Sequence, residues 1–433
     1  MTAVTVAEVR SVRRRSRFAL ITGQALAGIG MGVTFSSGAL LATRVSGSES
    51  WSGMSATMTA VGAAVAAVPL AALARRHGRA PALTTGALVA AGGAAVALVA
   101  AVIVSFPLLL VGLALVGVGT AVNLQSRFAA TDLSDPGGRA RDLAVVVWAT
   151  TVGAVSGPNL IQFADDVGLS IGLPALTGPL LFTIVAQLIA ATIYFVALRP
   201  DPLRLAARIR AERTAAGVVS FAGLDRNGVR TGVISTSLSH ATMVAVMSMT
   251  PVHLMDNGAS LVIVGVTISL HVAGMYAASP IWGLLADRLG RERVIAIGQG
   301  LLLASLLLTS FGSARADLVM IGLVLLGLGW SASTVAGSAL ISESADPARR
   351  TVVQGRADLV MSGTGAAGGA LAGPILAAIG YSGLALVAIA LVATVLVALA
   401  WRARRRASSP GEPDDAIAFG ADEAPTTPAR GVP

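Results

Sequence analysis

Two histidines, His240 and His271, lie in the middle of long apolar stretches. Imidazole changes charge near neutral pH, so either ring can carry a proton through a nonpolar medium, or stay neutral as a hydrogen-bonded tie between helices. No Asp or Glu is found near the middle of any such stretch, which leaves the two histidines as the central titratable groups. The 433 residues include no cysteine, and this removes disulfides, thiolate metal sites and cysteine nucleophiles. No metal-ligand cluster or nucleophile and base pair shares one depth, and no G-x-x-x-x-G-K-[ST] loop for ATP is present. The residues offer binding and proton movement rather than bond making, and no enzyme, cofactor or metal is implied.

Other residues join the histidines at helical spacing. Thr236, His240, Met243 and Met247 fall on one face, as do Gln24, Gly28, Met31 and Phe35. Asn123 and Arg127 in one further stretch, and Trp330, Thr334 and Ser338 in another, are the corresponding polar positions. Apolar walls with a few polar groups describe a small-molecule pocket, and thioethers adapt to varied shapes. Such a pocket suits a lipophilic or amphiphilic compound better than a sugar or phosphate. Polar side chains of this kind also tie membrane helices together, and Asn159 and Gln162 belong to that class.

The elements that must hold these residues are membrane helices. Hydrophobic residues make up 55% of the chain, charged ones 12%, and mean hydropathy is +0.78, which does not describe a water-soluble surface. Apolar runs near the ~20 residues needed to cross a bilayer fall roughly at 18-43, 52-74, 82-104, 106-128, 143-164, 176-198, 231-252, 260-284, 294-313, 317-341, 357-379 and 382-402. The first is too long for a signal peptide and is read as a retained helix. Every Lys or Arg in the chain is Arg, a bias that points to a high-GC bacterial genome.

The net charge of +9 does not signal nucleic acid, because the arginines are placed by topology. Arg10 to Arg17, Arg75 to Arg79, Arg139 and Arg141, the 199-230 segment, Arg288 to Arg293, Arg349 to Arg356 and Arg402 to Arg406 share one side; only Arg44 and Arg315 fall on the other. The positive-inside rule makes the arginine side cytoplasmic and puts both termini there, in the plasma membrane of a bacterium. The organisation expected is a cytoplasmic N-terminus at 1-16, a six-helix half at 17-198, a cytoplasmic linker at 199-230, a second six-helix half at 231-403 and a disordered tail at 404-433. Within the linker, Leu203 to Ala216 can form an amphipathic surface helix or remain solvated.

The two halves repeat. Gly283-Leu-Leu-Ala-Asp287-Arg288-Leu-Gly290-Arg291 has a counterpart at Ala71-Ala-Leu-Ala-Arg75-Arg76-His77-Gly78-Arg79, in which Arg75 stands at the place of Asp287. Gly117-Val-Gly119, Asp135-Pro136 and Gly153-x-x-x-Gly157-Pro158 recur as Gly327-Leu-Gly329, Asp346-Pro347 and Gly369-x-x-x-Gly373-Pro374. A fixed period of this kind marks a duplicated bundle.

The G-x-x-x-D-R-x-G-R loop, with twelve spans in two sixfold halves, resembles the major facilitator superfamily over roughly residues 17-403. The resemblance implies an all-α fold and a monomeric secondary transporter that rocks its halves around a central site for a small-molecule substrate. It implies a role for Gly283, Asp287, Arg288, Gly290 and Arg291 as a latch on the cytoplasmic side, with Asp287 reaching the start of span 5 near Arg141 and Asp142, where the helix dipole favours an anion. In the first half the carboxylate is lost; Arg75, beside Arg79, either pairs with Asp358 at the start of span 11 or faces lipid headgroups. Gly153, Gly157 and Pro158 resemble the helix-5 motif of proton-coupled drug antiporters, where small residues permit close approach and proline permits bending.

Two departures limit that likeness. Leu113 stands where those antiporters carry an Arg in span 4, and Ala19 to Thr43 holds no acid. The resulting expectation is a transporter exporting small lipophilic or amphiphilic compounds in exchange for protons, with His240 or His271 as the proton carrier. An uptake permease or uniporter is the alternative, and a non-transporting receptor or scaffold a third reading.

Overall fold

The computed structural model describes residues 6–48, 51, 54–215 and 225–407, almost all of them helical. The first half contains α1 (Val6–Ser46), α2 (Met54–His77), α3 (Arg79–Val102), α4 (Phe106–Ala129), α5 (Arg139–Ser170) and α6 (Gly178–Ala197). A short helix, α7 (Pro202–Ala215), follows. The second half contains α8 (Arg226–Asp256), α9 (Leu261–Tyr276) with α10 (Ser279–Leu289) as one interrupted span, α11 (Arg291–Phe311), α12 (Ala316–Ser344) and α13 (Arg350–Ala407). Two spans run together in α13 and meet at Gly380, whose φ of 72° lies outside the helical region.

Nine segments among the described residues are long and apolar enough to cross a membrane. Division of α13 at Gly380, with α1 and α5 at 41 and 32 residues, brings the crossings to twelve. Large apolar side chains such as Phe18, Val65, Val185, Val196, Phe311 and Val397 point outward, the arrangement suited to a lipid solvent. Inside, small residues let helices approach: α3 buries Ala82, Gly86, Ala87, Ala90, Ala94 and Ala97 on one stripe.

Each half packs alike, α1 on α5 and α6, and α8 on α13, which carries their two counterparts. The halves meet where α2 lies against α13 and α5 against α10, α9 and α12. Span 11 starts earlier than the apolar run suggests, at Arg350 rather than 357, because hydropathy marks immersion in lipid and not the first helical turn. Residues 216–224 of the expected linker and the expected tail from 408 onward lie outside the described residues.

Candidate functional site

The arginine-bearing ends of the helices come together on one side, termed here the basic end. There, in the second half, α10 breaks at Gly290, whose φ of 93° favours glycine, and the chain turns into α11. The turn delivers Asp287 to the first turn of α5. Its Oδ1 accepts from the Ala140 N–H at 3.2 Å and its Oδ2 from the Arg141 N–H at 3.0 Å, so an anion from one half caps a helix of the other. Gly283 makes the approach possible, since a Cβ there would run into Ala140, Arg141 and Ala144. Arg291 fixes the carboxylate from behind, at 2.8 Å from Asp287 and 2.6 Å from Glu343 of α12. Arg288 follows Asp287 in the last turn of α10.

The first half turns in the same way through Gly78, φ 102°, but its fastening differs. Arg79 is 1% exposed and its Nε donates to Asp132 at 2.8 Å, the counterpart of Arg291 with Glu343. Its Nη2 crosses to the other half and donates to Gln354 Oε1 of α13 at 2.9 Å, while the Gln354 amide donates to Ser342. Arg75 is exposed and does not meet Asp358. The expected pair of Arg75 with Asp358 is therefore corrected: Asp358, 0% exposed two turns inside α13, is bound by Arg127 of α4 at 2.7 Å. Arg75, in the last turn of α2, is exposed. Asp358 opens the apolar run of span 11, and the early start of α13 places it two turns into the helix.

Sequence reasoning missed Asp132, Glu343 and Gln354. The repeat contained the signal for the first two, since Asp132 and Glu343 lie 211 residues apart, close to the interval between Arg79 and Arg291. Around them, Asp142 receives Arg13 at 2.7 Å and Arg17 at 3.4 Å. Burial works against the Arg13 charge, but hydrogen bonds and attraction from Asp135 and Asp142 outweigh it and raise its pKa.

Further in, the Trp330 indole donates to His240 Nδ1 at 3.0 Å, and Tyr276 meets Trp330 edge-on with centroids 5.8 Å apart. A Cβ at Gly365 would fall on the His240 ring, so α13 closes over it. Met243 is buried, Met247 half-buried beside it, and Leu124 of α4 packs onto the same cluster. Thr334 is buried with its hydroxyl unpaired among the described residues, and Asn123 is half-buried. Gln24 is placed differently from the others: its amide donates to Thr150 of α5 at 3.1 Å and ties two helices of one half.

His271 lies apart from this group, 0% exposed, with Nδ1 at 2.7 Å from the Leu323 carbonyl of α12. A Cβ on Gly153 would overlap the Gly28 backbone, so α1 and α5 touch there. Gly157, Pro158, Met31 and Phe35 are in helices, but their surroundings lie outside the described residues.

Two six-helix halves, twelve crossings and a charged clasp on one face define a multi-pass membrane transporter, not an enzyme. The chain belongs to the major facilitator superfamily. The family model of that name matches residues 232–429. The chain is 36% identical over 402 residues to the uncharacterized MFS-type transporter YdeG of Bacillus subtilis (strain 168), over 92% of this chain and 94% of that protein. It is 27% identical over 368 residues to the riboflavin transporter RfnT of Brucella anthropi, over 85% and 90% of the two chains. Among solved structures, the human organic anion transporter MFSD10 superposes with a TM-score of 0.71 at 17% identity, covering 89% of this chain and 99% of that one. The proton:xylose symporter XylE superposes with 0.70 at 13% identity, covering 91% and 96%. At these identities the structures establish the fold.

Proposed function

We propose that the protein exports small lipophilic or amphiphilic compounds across a bacterial plasma membrane in exchange for protons. In this reading the basic end is cytoplasmic, as are both termini, and the structure is closed on that side. The observation that carries the substrate class is the wall formed by His240, Met243, Met247, Tyr276 and Trp330. Its aromatic faces and thioethers suit flat apolar bodies, and its few polar atoms suit one or two hydrogen bonds. In this reading Asn123 and Thr334 supply further polar contacts once the halves move apart, and alternating access follows from release of the basic end and closure of the opposite one. His240 faces the substrate, and His271 ties α9 to α12.

The test is a compound-susceptibility screen of cells expressing the chain, with dye efflux measured under an imposed pH gradient. Export predicts raised tolerance to some lipophilic compounds, lost in Trp330→Ala, and efflux that stops when the gradient is collapsed. Unchanged tolerance across the screen would remove the export reading.

A second reading is supported by the named riboflavin transporter among the relatives: uptake of a flat heteroaromatic metabolite against the same aromatic wall. Accumulation of labelled riboflavin by expressing cells, without any change in tolerance, would favour it.

A further inference from the structure

One buried ionic group adjoins the substrate wall on the side of the basic end. The Arg127–Asp358 pair joins α4 of the first half to α13 of the second at 2.7 Å, with 4% and 0% of the two side chains exposed. Pairs of this kind seldom add stability, because desolvation of both charges offsets their attraction, and an apolar pair of the same volume does as well or better. A membrane-embedded acid and base are accordingly functional candidates by default.

The pair is also incompletely satisfied. Among the described residues, Asp358 Oδ2 and Arg127 Nε have no hydrogen-bond partner, and Met361 Sδ stands 3.6 Å from Arg127 Nη2. A proton arriving at Oδ2 therefore displaces no donor.

The surroundings lead inward from the basic end. Gln354 precedes Asp358 by one helical turn and holds Arg79, which holds Asp132, so the carboxylate stands at the inner end of a buried polar cluster. The charged groups whose field reaches Asp358 are Arg127 and Arg79. The field of Arg127 in turn reaches His240 of α8 and Tyr276 of α9. On α2, Ala67 and Ala71 pack against Gly355; on α12, Ser342 meets Gln354.

We propose that Asp358 is the proton-binding site of this transporter, and that the Arg127–Asp358 bond is what the proton breaks to let the halves part at the basic end. The inference rests on the proton-exchange reading above and names its site. A proton from water adds to the carboxylate, the neutral acid loses its attraction for the guanidinium, and Arg127 keeps its charge. Pairing requires the ionised acid, so the closed arrangement is present at higher pH and lost as pH falls.

The absence of cysteine gives a direct test in the full chain reconstituted in liposomes. Val335 of α12 is buried against Phe128, Leu143, Ala144 and Val147 of the other half, so Val335→Cys places one thiol in the closed interface. Its alkylation by a permeant maleimide is read relative to the unfolded protein at the same pH, which removes the pH dependence of the thiol itself. Between pH about 8 and about 5.5 the relative rate should rise about fivefold or more, the lower bound for a coupling of this kind. In the same background, Asp358→Asn should give a fast rate that no longer responds to pH, and Asp358→Glu should keep a response. Arg127→Gln with Asp358→Asn removes both charges at nearly constant volume, and should give a flat rate in a folded protein. His240→Gln should keep the rise.

A flat rate in the parent, or a rise that persists in the double variant, overturns the proposal, as does loss of the rise in His240→Gln alone. Proton-driven transport is measured separately. If it is absent while the Asp358-dependent rise is present, the exchange reading fails and the proton site stands; if it is present while the rise persists without Asp358, the reverse holds.

Discussion

The loops at 71–79 and 283–291 occupy equivalent places in the two halves, and each turns through a glycine at positive φ, yet they fasten the basic end by different means. The second loop uses a carboxylate on a helix start, Asp287 on Ala140 and Arg141. The first has Arg75 at that place and closes through two side-chain contacts deeper in, Arg79 with Gln354 and Arg127 with Asp358. What both keep is the brace behind the loop, Arg79 with Asp132 and Arg291 with Glu343. Duplication has preserved the support and exchanged the clasp. One clasp is a peripheral charge on a dipole; the other is a buried pair that a proton can neutralise.

The same exchange is visible in the packing. At the second loop the glycine is Gly283 of α10, facing Ala140 and Ala144 of α5. At the first it is Gly355 of α13, and the facing residue is Ala71 of α2, in the loop motif itself. Ala144 and Gly355 are equivalent by the repeat, as are Ala71 and Gly283, so small and smaller have changed sides while the backbone approach is kept.

The largest expected effect comes from breaking the buried clasp on one side only. Arg127→Gln or Asp358→Asn alone leaves the partner charge buried and unpaired at a cost of about 3–5 kcal/mol, seen as a lower Tm in detergent, with most of it recovered in the double variant. Asp287→Asn removes the charge from two backbone donors and should cost the closed state about 2 kcal/mol, read as faster alkylation at Val335→Cys; unchanged alkylation would mean the peripheral clasp does not hold the end.

Smaller effects probe the packing. Gly283→Ala and Gly355→Ala should each cost about 1–2 kcal/mol by overpacking, measured as a loss of Tm; Ala71→Gly should restore most of the second, while Ala144→Gly should recover only part of the first, because the Ala140 carbonyl and Arg141 Cα still meet the new methyl. Smallest of all, Arg75→Asp rebuilds the motif carboxylate at an exposed position whose work is already done by Asp358 and Gln354, so stability should change by no more than about 0.5 kcal/mol. A larger gain would show that the first loop still has a vacant place for its carboxylate.

The helices, their number and the membrane were legible in the sequence because apolar length and the placement of arginine are local properties. The repeat was legible too, and it aimed Asp287 at the start of α5. Other contacts were not. Asp358 reads as the start of a span, and only the two turns of polar helix ahead of it, Arg350 to Ala357, carry it into the interior. Arg127 reads as a charge near a membrane edge, and its partner lies 231 residues away. Gln24 and Trp330 both carry polar atoms on apolar faces, yet one ties α1 to α5 within a half and the other hydrogen-bonds His240.

By itself, then, the sequence determined the class: a duplicated bundle of twelve crossings with one basic face, since each of these follows from which side chains tolerate lipid. Only the tertiary structure decided which charge meets which. A helix fixes the spacing of its own side chains but not the rotation of the helix opposite, and the choice of Arg127 over Arg75 for Asp358 depends on where α4 and α2 stand against α13.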